Sequence, residues 1–241
     1  IAARTKKIRI GQAATIVTFW NPIRVAEDIA LLDNLSNGRV EAGIGRGIYG
    51  REALNMNADA DMKDQAKNFR LFEETLTILK KAWTEKFFNH KGEFYTYPAP
   101  DYVWQHDMSP PNEDFVDLKT NNLKKISVVP QPCQKPHPPI LIGGMAKNVL
   151  KRIVEVGDGW LPNRVTPQEI ESSRKKINAL ANEKGRNPND ITISVYGQPP
   201  DSQILGDLFN AGADRVIVRP DLKETELEVT RELQRIASEV L

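Results

Sequence analysis

Six short apolar runs alternate along the chain with six stretches of helical periodicity. "IRIGQAATIV" (8–17) is rich in β-branched residues and predicts a short buried strand. Asn21 then stands as an N-cap before Pro22, at a first helical position where a missing N–H costs nothing. Ile23, Ala26, Ile29, Ala30 and Leu32 recur at helical spacing, and Gly38 is a natural stop. "RVEAGIG" (39–45) sets Val40, Ala42 and Ile44 on one face and Glu41, Gly43 and Gly45 on the other, a strand with small residues towards something bulky. A polar stretch (51–63) reads as loop and leads to a helix with Phe69, Phe72, Leu76, Leu79 and Trp83 on one stripe.

The rhythm resumes after residue 137. "PPILIGG" (138–144) precedes a predicted helix over 146–156, and "GWLPN" precedes one capped by Thr166, with Pro167 at N1 and Glu169 at N3. "DITISVYG" (190–197), a helix over 201–211, "DRVIVRP" (214–220) and a helix over 224–240 complete the series. Residues 98–125 break it: Pro, Asp and Asn dominate around Tyr102, Trp104 and Phe115. So long a stretch without regular structure reads as a functional lid or a disordered insert.

Strict strand–helix alternation implies a parallel sheet with helices outside it, hence the α/β class. A closed (β/α)8 TIM barrel needs eight strands. The pattern therefore predicts a single barrel domain over 1–241, with 98–125 inserted and the first two β/α units lying upstream of Ile1. The opening "IAARTKKIRIG", with no initiator Met and no secretory pattern, fits that expectation.

Composition narrows the partners. At 40% apolar and 27% charged residues, with a formal charge of +1, the chain gives no footprint for nucleic acid or an anionic membrane. No apolar run approaches the roughly 18 residues of a membrane span. One cysteine, Cys133, forms no intrachain disulfide, which fits a reducing, cytoplasmic setting.

The candidate chemistry begins at "RVEAGIGRGIYG" (39–50), where Gly45, Gly47 and Gly50 have dinucleotide-fingerprint spacing. Such a turn follows the first strand, runs into a helix, and meets an acidic strand end about 20 residues on. Here an earlier strand is predicted, 51–63 reads as loop, and Glu73 and Glu74 fall inside a helix. The alternative is a barrel strand end, with Arg46 offering a guanidinium to a phosphate between glycines that let the backbone come close. A plain surface arginine in a glycine turn is the bland version. "LIGGMAKN" (141–148) matches it, since strand, Gly-Gly and helix leave amides for an anion. Together Arg46 and the amides of 144–146 are expected to form one phosphate pocket. His90, His106 and His137 lack metal-ligand spacing, so no metal site is expected. His137 between prolines reads as fixing a loop, His106 as a substrate contact, and Cys133 as structural.

The chain resembles the bacterial-luciferase-like flavin monooxygenases. The resemblance rests on "NPIRVAEDIALLDNLSNGRVEAGIGRG" (21–47), "FEETLTILKKAWT" (72–84), "PQPCQKPHPPILIGG" (130–144) and "GDGWLP" (157–162). It implies a (β/α)8 barrel holding FMN, or in one branch F420, at the C-terminal mouth of the strands. Ala13 and Ala14 fall where the family packs the flavin ring, often at a non-prolyl cis peptide. Arg46, Gly47 and Ile48 fall at its phosphate, as do Gly143, Gly144, Met145 and Ala146. Met145 stands where the family commonly has serine, so a hydroxyl contact is lost. Gly45 replaces the reactive cysteine of luciferases proper, which argues against light emission. An arginine near the start of the Phe69–Trp83 helix often assists, and Lys67 and Arg70 compete for that role. Asn21, Tyr49 and His106 are the catalytic candidates, although Asn21 is also fully explained as a cap.

The implied reaction is oxygen insertion from O2 into a small organic substrate through a flavin C4a-hydroperoxide, with reduced FMN supplied by a separate reductase or the flavin reduced by a nicotinamide binding transiently at its face, and a homodimer as the default assembly. The rivals are an F420-dependent hydride-transfer oxidoreductase and a non-catalytic flavin-binding protein.

Overall fold

The computed structural model describes residues 1–105, 110–146 and 148–240. It divides into two compact units, Ile1–Pro138 and Pro139–Leu241.

In the first unit, β1 (Ile10–Gly11) and β2 (Thr15–Ile16) both pair in parallel with β3 (Val40–Gly45), Ile10 opposite Val40 and Ile16 opposite Gly45. The single strand predicted over 8–17 is thus interrupted at 12–14, where the Ala13–Ala14 peptide is cis. α1 (Pro22–Ser36) starts as its cap requires, the Asn21 side chain accepting the Ile23 N–H at 2.9 Å. It ends on left-handed Asn37 (φ 57°) and Gly38 (φ 76°).

One prediction fails here. The polar stretch after Gly50 is not all loop: α2 spans Gly50–Met56. "REALNM" is built of good helix formers, and its buried Ala53 packs with Ala60 and Leu71. A single small buried residue gives no apolar period to read. The glycine turn therefore does run into a helix. The dinucleotide reading now fails on two grounds only: β3 pairs with two earlier strands, and Glu73 and Glu74 lie within α3 (Gln65–Thr84).

α3 buries Leu71, Phe72, Leu76, Leu79 and Trp83, each such side chain stabilising by about 1.5–3 kcal/mol. The Trp83 indole donates to the Ala26 carbonyl at 3.1 Å, tying α3 to α1. A hairpin the sequence pattern did not show, β4 (His90–Lys91) with β5 (Thr96–Tyr97), hangs on the Glu74 carboxylate. That carboxylate accepts the N–H groups of Glu93, Phe94 and Tyr95 at 2.9, 3.1 and 2.8 Å and meets His90 Nε2 at 2.9 Å. The segment read as structureless also has pairing among its described residues: Val103 bridges Asn122 and Val116 bridges Leu123. Its aromatics are the reason, Trp104 meeting Phe115 edge-on at 5.1 Å and Phe87 lying 5.4 Å from Phe115.

In the second unit, β6 (Ile140–Gly143), β7 (Gly159–Leu161), β8 (Thr192–Gln198) and β9 (Arg215–Val218) pair in parallel in that order. α4 (Val149–Val156), α5 (Pro167–Glu183), α6 (Ser202–Asn210) and α7 (Glu226–Glu239) alternate with them. Thr166 and Glu169 form the predicted capping box of α5. Ile140, Ile142, Trp160, Ile193 and Val195 supply the strand side of the core, Ile153 and Ile177 the helix side. No described helix is long and apolar enough to cross a membrane.

Candidate functional site

The strand end of β3 carries the most developed site. Arg46 leaves β3 half-buried, and its guanidinium meets a face of α3. Nη1 donates to Asn68 Oδ1 at 3.2 Å, Nη2 to Gln65 Oε1 at 3.3 Å, and the Phe69 ring lies 5.8 Å below the guanidinium carbon. None of these partners is a carboxylate. Burial pushes the Arg46 pKa below its ordinary value. Among the described residues the guanidinium is thus partly desolvated beside neutral partners.

Asn68 is the organiser. It is fully buried, and its amide donates to the Ala60 carbonyl at 2.8 Å and to the Arg46 carbonyl at 3.3 Å. The Thr18 hydroxyl donates to the same Arg46 carbonyl at 3.0 Å. Gly47 follows at φ 83°, where a Cβ would come within 3.0 Å of Ile16 Cγ2 and Phe19 Cζ. Only glycine fits. Ile48 and Tyr49 are exposed beyond it, and Tyr49 precedes α2 without a side-chain capping bond.

Ala13 and Ala14, joined by the cis peptide that the family resemblance implies, lie next to the same strand: a Cβ on Gly45 would sit 3.8 Å from that of Ala14. Gln12 and Thr15, which flank them, line a cavity of about 500 Å³ together with Trp20, Glu41 and Gly43. Asn21 is committed twice, since its Oδ1 accepts the Ile23 N–H and, at 3.4 Å, the Tyr97 hydroxyl. Burial pushes the Tyr97 hydroxyl above its ordinary pKa, so it is a donor at neutral pH.

Lys67 and Arg70 do not join Arg46. Lys67 pairs with Asp59 at 2.7 Å, and Arg70 holds Glu93 through two bonds of 2.7 and 2.9 Å. His90 is taken by Glu74. His137 Nδ1 lies 2.9 Å from the Pro138 carbonyl and its ring stands 6.0 Å from Trp83, a loop-fixing arrangement. Cys133 Sγ donates to Asp33 Oδ2 at 3.3 Å, and burial with that carboxylate pushes the thiol pKa up. His106 lies outside the described residues.

In the second unit, Gly143 closes β6 and Gly144 (φ 111°), Met145 and Ala146 form an exposed turn. α4 starts at Val149, three residues later than predicted, because the Val149 N–H is taken by the Ala146 carbonyl in a turn. Residues 144–146 are thus a linker before the helix rather than its first turn. The Trp160 indole holds that linker by donating to the Gly144 carbonyl at 2.9 Å.

Sequence reasoning missed Asn68 and Gln65. Their signal was present: Gln65, Asn68 and Phe69 fall at i, i+3 and i+4, one face of α3, and Asn68 is a polar residue beside the apolar stripe.

Known proteins place the chain in a family. The luciferase-like monooxygenase family matches residues 1–199. The oxygenase component of a flavin-dependent trigonelline monooxygenase from Acinetobacter baylyi is 29% identical over 157 residues, 65% of this chain and 35% of that protein. An F420-dependent glucose-6-phosphate dehydrogenase from Amycolatopsis mediterranei is 35% identical over 98 residues, 39% of this chain and 28% of that protein. The chain thus spans about a third of the length of these curated relatives. The structure of monooxygenase RslO1 from Streptomyces bottropensis matches all of this chain and 79% of its own with a TM-score of 0.72 at 17% identity, a likeness of fold.

Proposed function

The chain belongs to the luciferase-like monooxygenase family, and from that premise we propose that it is the flavin-binding part of an FMN-dependent monooxygenase that inserts oxygen from O2 into a small organic substrate. The observation that carries the reading is Arg46. Its guanidinium is half-buried, held by Asn68, Gln65 and Phe69, and paired with no carboxylate among the described residues. A flavin phosphate supplies the missing charge through charge-assisted bonds.

The residues present fit the group. Arg46 and the backbone of Gly47 and Ile48 would hold the phosphate. Small residues at Ala13, Ala14 and Gly45 would leave room for a flat ring. Bound and reduced, FMN supplies the electrons for activating O2. The chain's own part is to bind, orient and exclude water, with the aromatic 98–125 segment as the cover. The trigonelline relative is named an oxygenase component; by analogy, a separate reductase would deliver reduced FMN. Gly143–Ala146 is a second proposed cofactor contact, tested separately below. We also propose a (β/α)8 barrel as the complete fold, which takes two β/α units beyond the six present.

Titration of the purified protein with FMN and with riboflavin tests the reading. FMN is expected to bind at least about a hundredfold tighter, the worth of one or two charge-assisted bonds. Reduced FMN in the presence of the protein is expected to drive O2 consumption coupled to product. Equal affinities for the two flavins would end it. A second reading, hydride transfer with F420, is favoured by the likeness to the F420-dependent relative. Binding of F420 in preference to FMN would establish it instead.

A further inference from the structure

β7, β8 and β9 end side by side, and the loops leaving them build a second basic pocket wholly within the second unit. It encloses about 320 Å³ and is lined by Arg164, Gly197, Gln198, Arg219 and Asp221, with Pro199 and Pro200 closing one side. The place is significant, because ligands of parallel α/β sheets bind beyond the carboxyl ends of the strands.

The backbone there is shaped for this. Arg164 is a non-glycine residue at φ 50°, an uncommon conformation, and its N–H donates to the Tyr196 carbonyl at 3.1 Å. The Arg219 N–H donates to the Gln198 carbonyl at 2.8 Å. Both arginines are thereby latched to β8, one from each side. Between the two anchor points the β8–β9 register shifts, at Gly197 (φ 77°), and such irregularities re-aim side chains at functional ends of sheets. Neighbouring strands lie about 4.8 Å apart, so β7 and β9 flank β8 within the combined reach of two arginine side chains.

Neither guanidinium has a hydrogen bond or ion pair among the described residues. Among the described residues Asp221 is the one carboxylate lining the pocket, which leaves a net positive charge against Arg164 and Arg219. The N-terminus of α6 carries its own anionic cap, since the Asp201 side chain accepts the Ile204 N–H at 3.0 Å. The arginines, not a helix end, would hold an anion.

We propose that this pocket binds the anionic group of a small-molecule ligand, a phosphate monoester or a carboxylate, with Arg164 and Arg219 as forked donors. The inference does not use Arg46 or the flavin reading, and stands or falls separately.

Inorganic phosphate and acetate, titrated at constant ionic strength into the isotopically labelled protein, test it through the amide signals of Gly197, Gln198 and Arg219. Saturable shifts in the millimolar range are expected with at least one of them. Stronger binding of phosphate assigns a phosphate ester, and stronger binding of acetate assigns a carboxylic acid. The double variant Arg164→Gln/Arg219→Gln is expected to weaken binding at least about tenfold, the effect of about 1.4 kcal/mol. Both side chains are exposed, so unchanged signals elsewhere will show that the variant is folded. Asp221→Asn, which removes the opposing charge, is expected to tighten binding by about threefold. The same titration in Arg46→Gln keeps any phosphate site in the first unit out of the result. Silent amides up to about 50 mM of either anion, or shifts that persist in the double variant, would overturn the proposal.

Discussion

Gly47 and Gly144 both follow a parallel strand and both adopt a left-handed backbone, yet one turn is packed and the other is open. A side chain at Gly47 would strike Ile16 and Phe19, while nothing lies within 4 Å of the Cβ position at Gly144. Around the first, a half-buried guanidinium is pinned by a buried asparagine. Around the second, Met145 and Ala146 are exposed and one indole bond to a carbonyl holds the linker. The same glycine signature thus covers two physical situations. In the first the glycine lets a cation be held rigidly, and in the second it only lets the chain turn.

Substitution breaks or confirms that contrast most forcefully. Gly47→Ala adds contact with Ile16 and Phe19 to the cost of its backbone angle, and is expected to destabilise by about 4 kcal/mol. Gly144→Ala meets only the backbone term, about 2 kcal/mol. Denaturant midpoints of the two variants measure the difference. Equal losses would mean that packing beneath Gly47 contributes nothing.

Next in size is the charge itself. Arg46→Gln is expected to weaken FMN binding by about 2–3 kcal/mol, roughly a hundredfold, and to leave riboflavin binding within a factor of about two. A parallel loss for both flavins would make Arg46 a structural residue rather than a phosphate ligand.

Asn68 separates position from charge. Asn68→Ala leaves the Ala60 carbonyl without its donor and is expected to cost about 1–3 kcal/mol of stability, read from thermal unfolding. Asn68→Asp supplies Arg46 with an internal anion, so FMN is expected to bind about tenfold more weakly relative to riboflavin. The ratio of affinities is the informative quantity, because simple loosening would lower both alike.

How far the sequence carried these conclusions follows from where the signals lie. The alternation of strands and helices was legible because most strands fall in compact apolar runs and helices such as α3 bury a stripe, as Phe72 to Trp83 do. Thr166 with Glu169, and Asn21 with Pro22, announced helix starts through side chains that act on their own neighbours. What escaped was non-local. α2 hid because only Ala53 is buried on it. The β4–β5 hairpin depends on Glu74, a residue about twenty positions away whose carboxylate gathers three N–H groups. Arg46 was visible by its glycines, but its partners Gln65 and Asn68 sit on a helix that the turn sequence does not mention. Lys67 and Arg70 looked equally suitable and are both consumed by carboxylates, Asp59 and Glu93, which only the folded chain brings to them.

The smallest expected effect bears on the open turn. Met145 is half exposed and makes no polar contact among the described residues, so Met145→Ser is expected to change stability by less than about 0.5 kcal/mol. If the Gly143–Ala146 linker touches the cofactor, the new hydroxyl adds one hydrogen bond, and FMN affinity is expected to rise about threefold to tenfold with riboflavin unchanged. An unchanged FMN affinity would confine phosphate recognition to the packed turn. The contrast between the two glycines would then extend from mechanics to function, because an exposed linker held by one indole bond must lose more conformational entropy than a packed turn to keep its amides on an anion.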